Sequence, residues 1–348
     1  MKKSFRCLPV GNLPYTTDKA ATKMMVKLFE NIPFLANLPD ASPDENLLRR
    51  TLMNTPGVFI QEKKVIFDND APNLKSKLVA LDAAFNSPTE ENLEQFKFET
   101  FFLPKYYQII ERIKPAETVI NLIGPFTLSQ RLMNSEGTQL LADKYYRKVV
   151  IQSICVKALW IIHKIKKLSP ETRPLIILEE PLLYKIGDIK RENEDVTRDV
   201  IINMFSKVIS KIHEYEGLVG IQCFEKCDWK IPIDSGVDLI SFDAYNNPNN
   251  LNIMPEKINE YLVRGGRINW AIVPVMNETI VKSLSVEYIY DRFIKTIEGL
   301  INAGTSEKLT YNRATISIQG DINSLPLIFA EKALIVADQV SKRIPVKS

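Results

Sequence analysis

The sequence predicts a (β/α)8 TIM barrel with an N-terminal helical and hairpin elaboration, organised as one domain over residues 1–348. Three observations predict it. Six short runs rich in Ile, Val and Leu recur through the C-terminal two thirds of the chain. Turn-type or polar residues follow each run, and then usually a long helical pattern. No glycine-rich turn of the dinucleotide-binding type stands at any strand end, which puts an open doubly wound sheet second.

The six runs are "TVINLIG" (118–124), "PLIILEEP" (174–181), "GLVGIQC" (217–223), "VDLISFDAY" (237–245), "INWAIVPV" (268–275) and "ATISIQG" (314–320). Each reads as near-continuously apolar, as a strand covered on both faces should. Between them, apolar residues at three- and four-residue steps predict helices over 137–168, 195–215, 285–302 and 323–343, with Pro170 closing the first. The first third is less regular. "RCLPV" (6–10) is the first candidate strand, and a helix follows over 16–30. "SPDE" (42–45) and "SPTE" (87–90) each place Ser at an N-cap, Pro at the first helical position and Glu at the third. "GVFIQEKKVIFDN" (57–69) reads as a hairpin, with one arm, 57–60, serving as a barrel strand. Segments 6–10 and 57–60 with the six runs complete the eight strands of a barrel.

Composition narrows the function. A net charge of +3 with interleaved lysines and acids lacks the basic stripe of a nucleic-acid binder. No apolar run is long enough to span a bilayer, and the N-terminus is too broken by Pro and Gly for a secretory signal. Four scattered cysteines form no disulfide framework, so a reducing cytoplasm is expected. The two histidines, His163 and His213, fall inside helical patterns and read as packing or surface residues, which excludes chemistry needing several imidazoles.

In a barrel the chemistry sits just past the C-terminal strand ends. That rule selects Gly11, Asn12 and Pro14; "GPFT" (124–127); Glu179 and Glu180; "GIQCFEKCDW" (220–229); Asp243 and Tyr245; Pro274; and Gln319, Gly320 and Asp321. Several of these segments resemble one known superfamily. "VGNLPYTTDKAA" with "ENIPFLANLP", then "GPFTLSQRL", "LEEPLL", "DWKIPIDSGVDLISFDAYN" and "INWAIVPV" are similar, in order, to segments of the superfamily shared by cobalamin-independent methionine synthase and uroporphyrinogen decarboxylase. The resemblance runs from about residue 8 to residue 343.

The resemblance implies a methyltransferase barrel without the N-terminal folate domain, moving a methyl group from a corrinoid or other carrier to a small thiol. A corrinoid protein is the partner it implies. It also implies one zinc, which lowers the pKa of the thiol. The family's ligand positions fall here on Gln222, on Phe224 (or Cys223 with a one-residue slip), on Asp243 and on Gln319. Zinc takes at least three good donors from Cys, His, Asp and Glu, so no cofactor is expected at this degenerate set. The alternative is a displaced zinc site on Cys223 and Cys227 with Glu225 or Asp243; the plain reading of both cysteines is as small buried residues.

Glu180, in the position the family turns towards the substrate's amine, is the first candidate for a substrate contact. Asp243, Asn12 and Tyr245 join it. Against each stands a plainer role: a rim salt bridge for one of the two glutamates, a loop cap for Asp243, turn geometry for Asn12, and filling of the mouth for Tyr245 and Trp270. Two functions remain open, a methionine synthase-like methyltransferase and a catalytically inactive paralogue kept as a ligand- or corrinoid-protein-binding barrel. A tetrapyrrole decarboxylase ranks last, because it needs a cluster of basic groups and the opening strand-end segment has Arg6 ahead of it but no arginine past the strand end.

Overall fold

All six apolar runs become strands of one parallel sheet. The computed structural model describes residues 6–9, 11–42, 45–61, 64–188 and 195–347. Its strands in chain order are β1 Val58–Gln61, β2 Lys64–Phe67, β3 Glu117–Ile123, β4 Met133–Asn134, β5 Arg173–Glu179, β6 Leu218–Cys223, β7 Leu239–Asp243, β8 Arg267–Pro274 and β9 Ala314–Gln319. The large sheet runs β3-β5-β6-β7-β8-β9, every neighbouring pair parallel.

Two short segments close this sheet into a ring of eight. Leu8 donates its N–H to the Ile316 carbonyl at 2.8 Å, and Ile316 donates to the Arg6 carbonyl at 2.8 Å. On the far edge Leu35 donates to Val119 at 2.9 Å and Val119 to Pro33 at 3.0 Å. The segments join each other through Asn37 N–H to Gly11 C=O at 2.7 Å and Leu13 N–H to Asn37 C=O at 3.0 Å. At the opposite end of the barrel, an ion pair of 2.8 Å from Arg267 of β8 to Glu117 of β3 spans the curl of the sheet. Residue 10 of the predicted first strand lies outside the described residues.

The second wall segment is therefore 33–37 and not 57–60. Phe34, Leu35 and Ala36 are wholly buried, as a wall covered on both faces requires. Residues 58–61 do form the predicted hairpin with β2, extended by β4 into a separate three-stranded sheet, on which Phe59 is 43% exposed. The reason is length: a segment opening on Pro33, with two backbone bonds to each neighbour, leaves too little periodicity to read as a strand.

Four long helices fall where the sequence puts them: Asp18–Phe29, Arg198–His213, Val286–Asn302 and Leu327–Ser341. The fifth is Lys144–Leu168, seven residues shorter at its start than expected, because Asp143 accepts from Tyr145 N–H and caps it there. Neither Ser-Pro word starts a helix as predicted. Helix Glu90–Glu94 is capped by Thr89, not Ser87, and helix Leu47–Leu52 by Asn46, not Ser42; residues 43–44 lie outside the described residues. An aromatic ladder joins the C-terminal half: Trp229 on Phe242 at 6.4 Å, Phe242 on Trp270 at 5.2 Å and Trp270 on Phe293 at 6.1 Å between ring centroids. Trp270 is thus core rather than a stacking surface. Among the described residues no helix is long and apolar enough to cross a membrane.

Candidate functional site

The inner face of the sheet is polar where a barrel core is usually Val, Ile and Leu. Asn269 of β8 is wholly buried; it donates to Ser241 Oγ of β7 at 2.9 Å and to Ser317 Oγ of β9 at 2.8 Å, and accepts from Thr315 Oγ1 at 3.1 Å. Ser241 in turn donates to Gln222 Oε1 of β6 at 3.4 Å. Asn121 of β3 donates to Glu179 Oε1 of β5 at 2.7 Å. These residues alternate with apolar ones along their strands, so one face of each strand carries the network.

Above this layer, at the C-terminal strand ends, lies a cavity of about 400 Å³. Asn12, Gln222 and Phe224 line it, as the sequence reading placed them at the mouth. Glu179, Glu225 and Asp321 line it as well, and no Lys, Arg or His does. Burial raises the Glu179 carboxyl above the ordinary glutamate value, the Asn121 hydrogen bond and Arg50 pull it down, and the charge of Asp321 adds to the rise. Arg50 itself is buried behind the wall, where its guanidinium donates to Asn121 C=O at 2.6 Å; desolvation lowers it to about 10.

Glu180 stands elsewhere. It is wholly buried and does not line the cavity. One oxygen accepts Phe126 N–H at 2.9 Å and the other Thr127 N–H at 2.7 Å, which satisfies two free donors at the start of helix Pro125–Arg131. Thr127 Oγ1 answers by accepting Leu182 N–H at 3.3 Å. A Cβ at Gly124 would stand 2.1 Å from Glu180 Oε1, so the glycine is required by that close approach. The "GPFT" and "EEPLL" words therefore lock strand ends β3 and β5 together. Burial outweighs the hydrogen bonds from the Thr127 side chain and from the Thr127 and Phe126 N–H groups, and raises the Glu180 carboxyl to about 7.

The strand-7 acid is also occupied. Asp243 accepts Asn246 N–H at 2.9 Å and Asn246 Nδ2 at 2.7 Å. Gln319 Nε2 donates to it at 3.2 Å. The donors at the resemblance-derived zinc positions do not fit zinc: Gln222 and Gln319 offer amides, Phe224 offers none, and the Gln319 amide sits on the one carboxylate of the set. Among the described residues no three His, Cys, Asp or Glu side chains stand together in a metal-binding group. Cys223 is buried, with its thiol 3.5 Å from the Glu225 carbonyl. Burial and the adjacent Cys223 push the Cys227 thiol up, away from the thiolate. Tyr245 turns outward: the Arg292 guanidinium lies 4.1 Å from its ring centroid, and its hydroxyl meets Tyr288.

The structure thus brings Asn12, Gln222 and Phe224 to one cavity and leaves Glu180, Asp243 and Tyr245 off its lining. Sequence reasoning placed Glu179 and Asp321 at the strand ends and weighed Glu225 as a zinc donor, but it chose Glu180 and not Glu179 as the substrate contact. The signal was available in the period-2 polar positions inside runs read as continuous: Asn121, Gln222, Ser241, Asn269, Thr315, Ser317 and Gln319.

No family model matches the chain, and no curated protein sequence matches it. Among solved structures, a methyltransferase from Methanosarcina mazei is similar in fold at a TM-score of 0.52, covering 93% of this chain and 85% of its own at 12% identity. A xylose isomerase-like TIM-barrel protein from Mycobacterium smegmatis, in complex with magnesium, matches at a TM-score of 0.33, covering 76% of this chain and 92% of its own at 10% identity. The chain is an α/β barrel, similar in fold to that methyltransferase.

Proposed function

We propose that the protein is a barrel of the methyltransferase type that binds a small amine-bearing thiol at the mouth and moves a methyl group to it. The observation that carries the reading is the lining of the cavity: three carboxylates and no cation. Such a wall favours an ammonium group and disfavours a carboxylate or sulfonate. Glu179, held by Asn121, is the ammonium contact.

The same lining bears on the chemistry. An acid-lined cavity raises a thiol's pKa, and the degenerate zinc set supplies no ion to lower it. Binding without transfer is therefore the second reading, favoured by the Gln319 amide on Asp243. A methyl-transfer assay with methylcobalamin and cysteamine (2-aminoethanethiol), run beside calorimetry on the same pair, separates the two. Binding with turnover supports the enzyme. Saturable binding without turnover supports the paralogue, and no binding of cysteamine overturns both.

A further inference from the structure

On the outer wall, helices Lys144–Leu168 and Arg198–His213 pack side by side, and both begin at the mouth end of the barrel. Two hollows of about 860 Å³ and about 430 Å³ lie along them. Both are lined by Lys148, Ile151 and Lys207, so they form one groove. Its apolar surface comes from Tyr145, 50% exposed, and from half-buried Val200 and Phe85, over buried Ile151 and Met204. Its acids stand only at the ends, Asp143 and Asp199 at one and Glu214 at the other. Between them every charged lining residue is a cation: Lys144, Arg147, Lys148, Lys207 and Lys211.

Some of that charge is already answered. Lys148 pairs with Asp82 at 2.8 Å, Lys211 with Glu214 at 2.8 Å, and Arg147 donates to the Leu141 and Ala142 carbonyls. Lys144 and Lys207, both exposed, make no ion pair with any described residue.

We propose that this groove docks an acidic amphipathic helix of a partner protein. Its cations follow three- and four-residue steps along two helices instead of converging on a point, which fits an elongated segment and not a single phosphate. The basic stretch is bounded, so it fits a helix of about four turns better than a nucleic-acid polymer, whose phosphates the end acids would repel. The apolar surface receives the apolar face of the segment, and Asp143 and Asp199 suit the positive N-terminal end of a docked helix.

The test uses the full chain and a labelled helical peptide of about 15 residues, with Leu at three- and four-residue steps and Glu elsewhere. Fluorescence anisotropy is expected to show saturable, salt-sensitive binding. The double variant Lys144→Glu/Lys207→Glu is expected to weaken it at least ~10-fold, whereas Lys23→Glu, on a helix that does not line the groove, changes it less than ~2-fold. No saturable binding overturns the proposal. So does equal binding of a scrambled peptide of the same composition, tighter binding of a short DNA duplex, or an affinity indifferent to the double reversal.

Discussion

Glu179 and Glu180 carry the same side chain and opposite duties, because consecutive residues at a strand end face different ways. Glu179→Gln is expected to weaken cysteamine binding at least ~10-fold while shifting stability by less than ~0.5 kcal/mol, measured by calorimetry and urea unfolding. Glu180→Gln is expected to do the reverse. It keeps one acceptor for two backbone N–H groups and turns a donor towards the other, so it costs roughly 1–3 kcal/mol of stability and leaves affinity intact. Two buried groups also set a pH dependence. Glu180, raised to about 7, takes up a proton more readily folded than unfolded, so its contribution to stability falls as pH rises from the ordinary glutamate value to about 7. Lys157 is wholly buried with no partner for Nζ among the described residues, and desolvation lowers it to about 7. Folding releases its proton, so its penalty is full below about 7 and fades as pH rises towards the ordinary lysine value. Lys157→Met should therefore stabilise by roughly 1–3 kcal/mol near neutral pH. Its advantage over the native chain should shrink in thermal melts taken at progressively higher pH between 7 and 10; an advantage independent of pH would contradict the assignment.

At the scale of elements, the words that carry the resemblance prove to be joints of the fold. The Gly124 junction between β3 and its helix tolerates no side chain, so Gly124→Ala should cost on the order of 3 kcal/mol by overpacking against Glu180. Gly187, with nothing within 4 Å of a Cβ, is the control and should change little. The strands were legible because Ile, Val and Leu fill their outer faces and lift each run above its surroundings. The site was less legible for the same reason: the runs read as near-continuously apolar, and the two-residue spacing of Gln222, Ser241, Asn269 and Ser317, which marks a polar inner face, is masked by the apolar residues between them. Helix starts were misread where Ser-Pro promised a cap. At residues 87–90 the Ser87 carbonyl instead accepts Thr89 N–H at 2.9 Å and Asn92 Nδ2 at 2.8 Å, which holds a turn and delays the helix to Glu90.

Across the whole molecule, eight wall segments were predicted and eight are present, but the second was misplaced. Segment 33–37 is too short and proline-marked to announce itself, yet it closes the ring against Val119 and Gly11. That closure brings Asn12 beside Asn37, 2.9 Å between side chains, and so completes the cavity wall opposite Gln222. The acid-lined mouth is the central claim, and calorimetry with three small thiols tests it most directly. Cysteamine carries an ammonium, 2-mercaptoethanol no charge and 3-mercaptopropionate a carboxylate. The lining predicts saturable binding of cysteamine, at least ~10-fold weaker binding of mercaptoethanol, no binding of mercaptopropionate, and loss of the preference in Glu179→Gln. Equal affinity for all three, or tighter binding of the carboxylate, would contradict it.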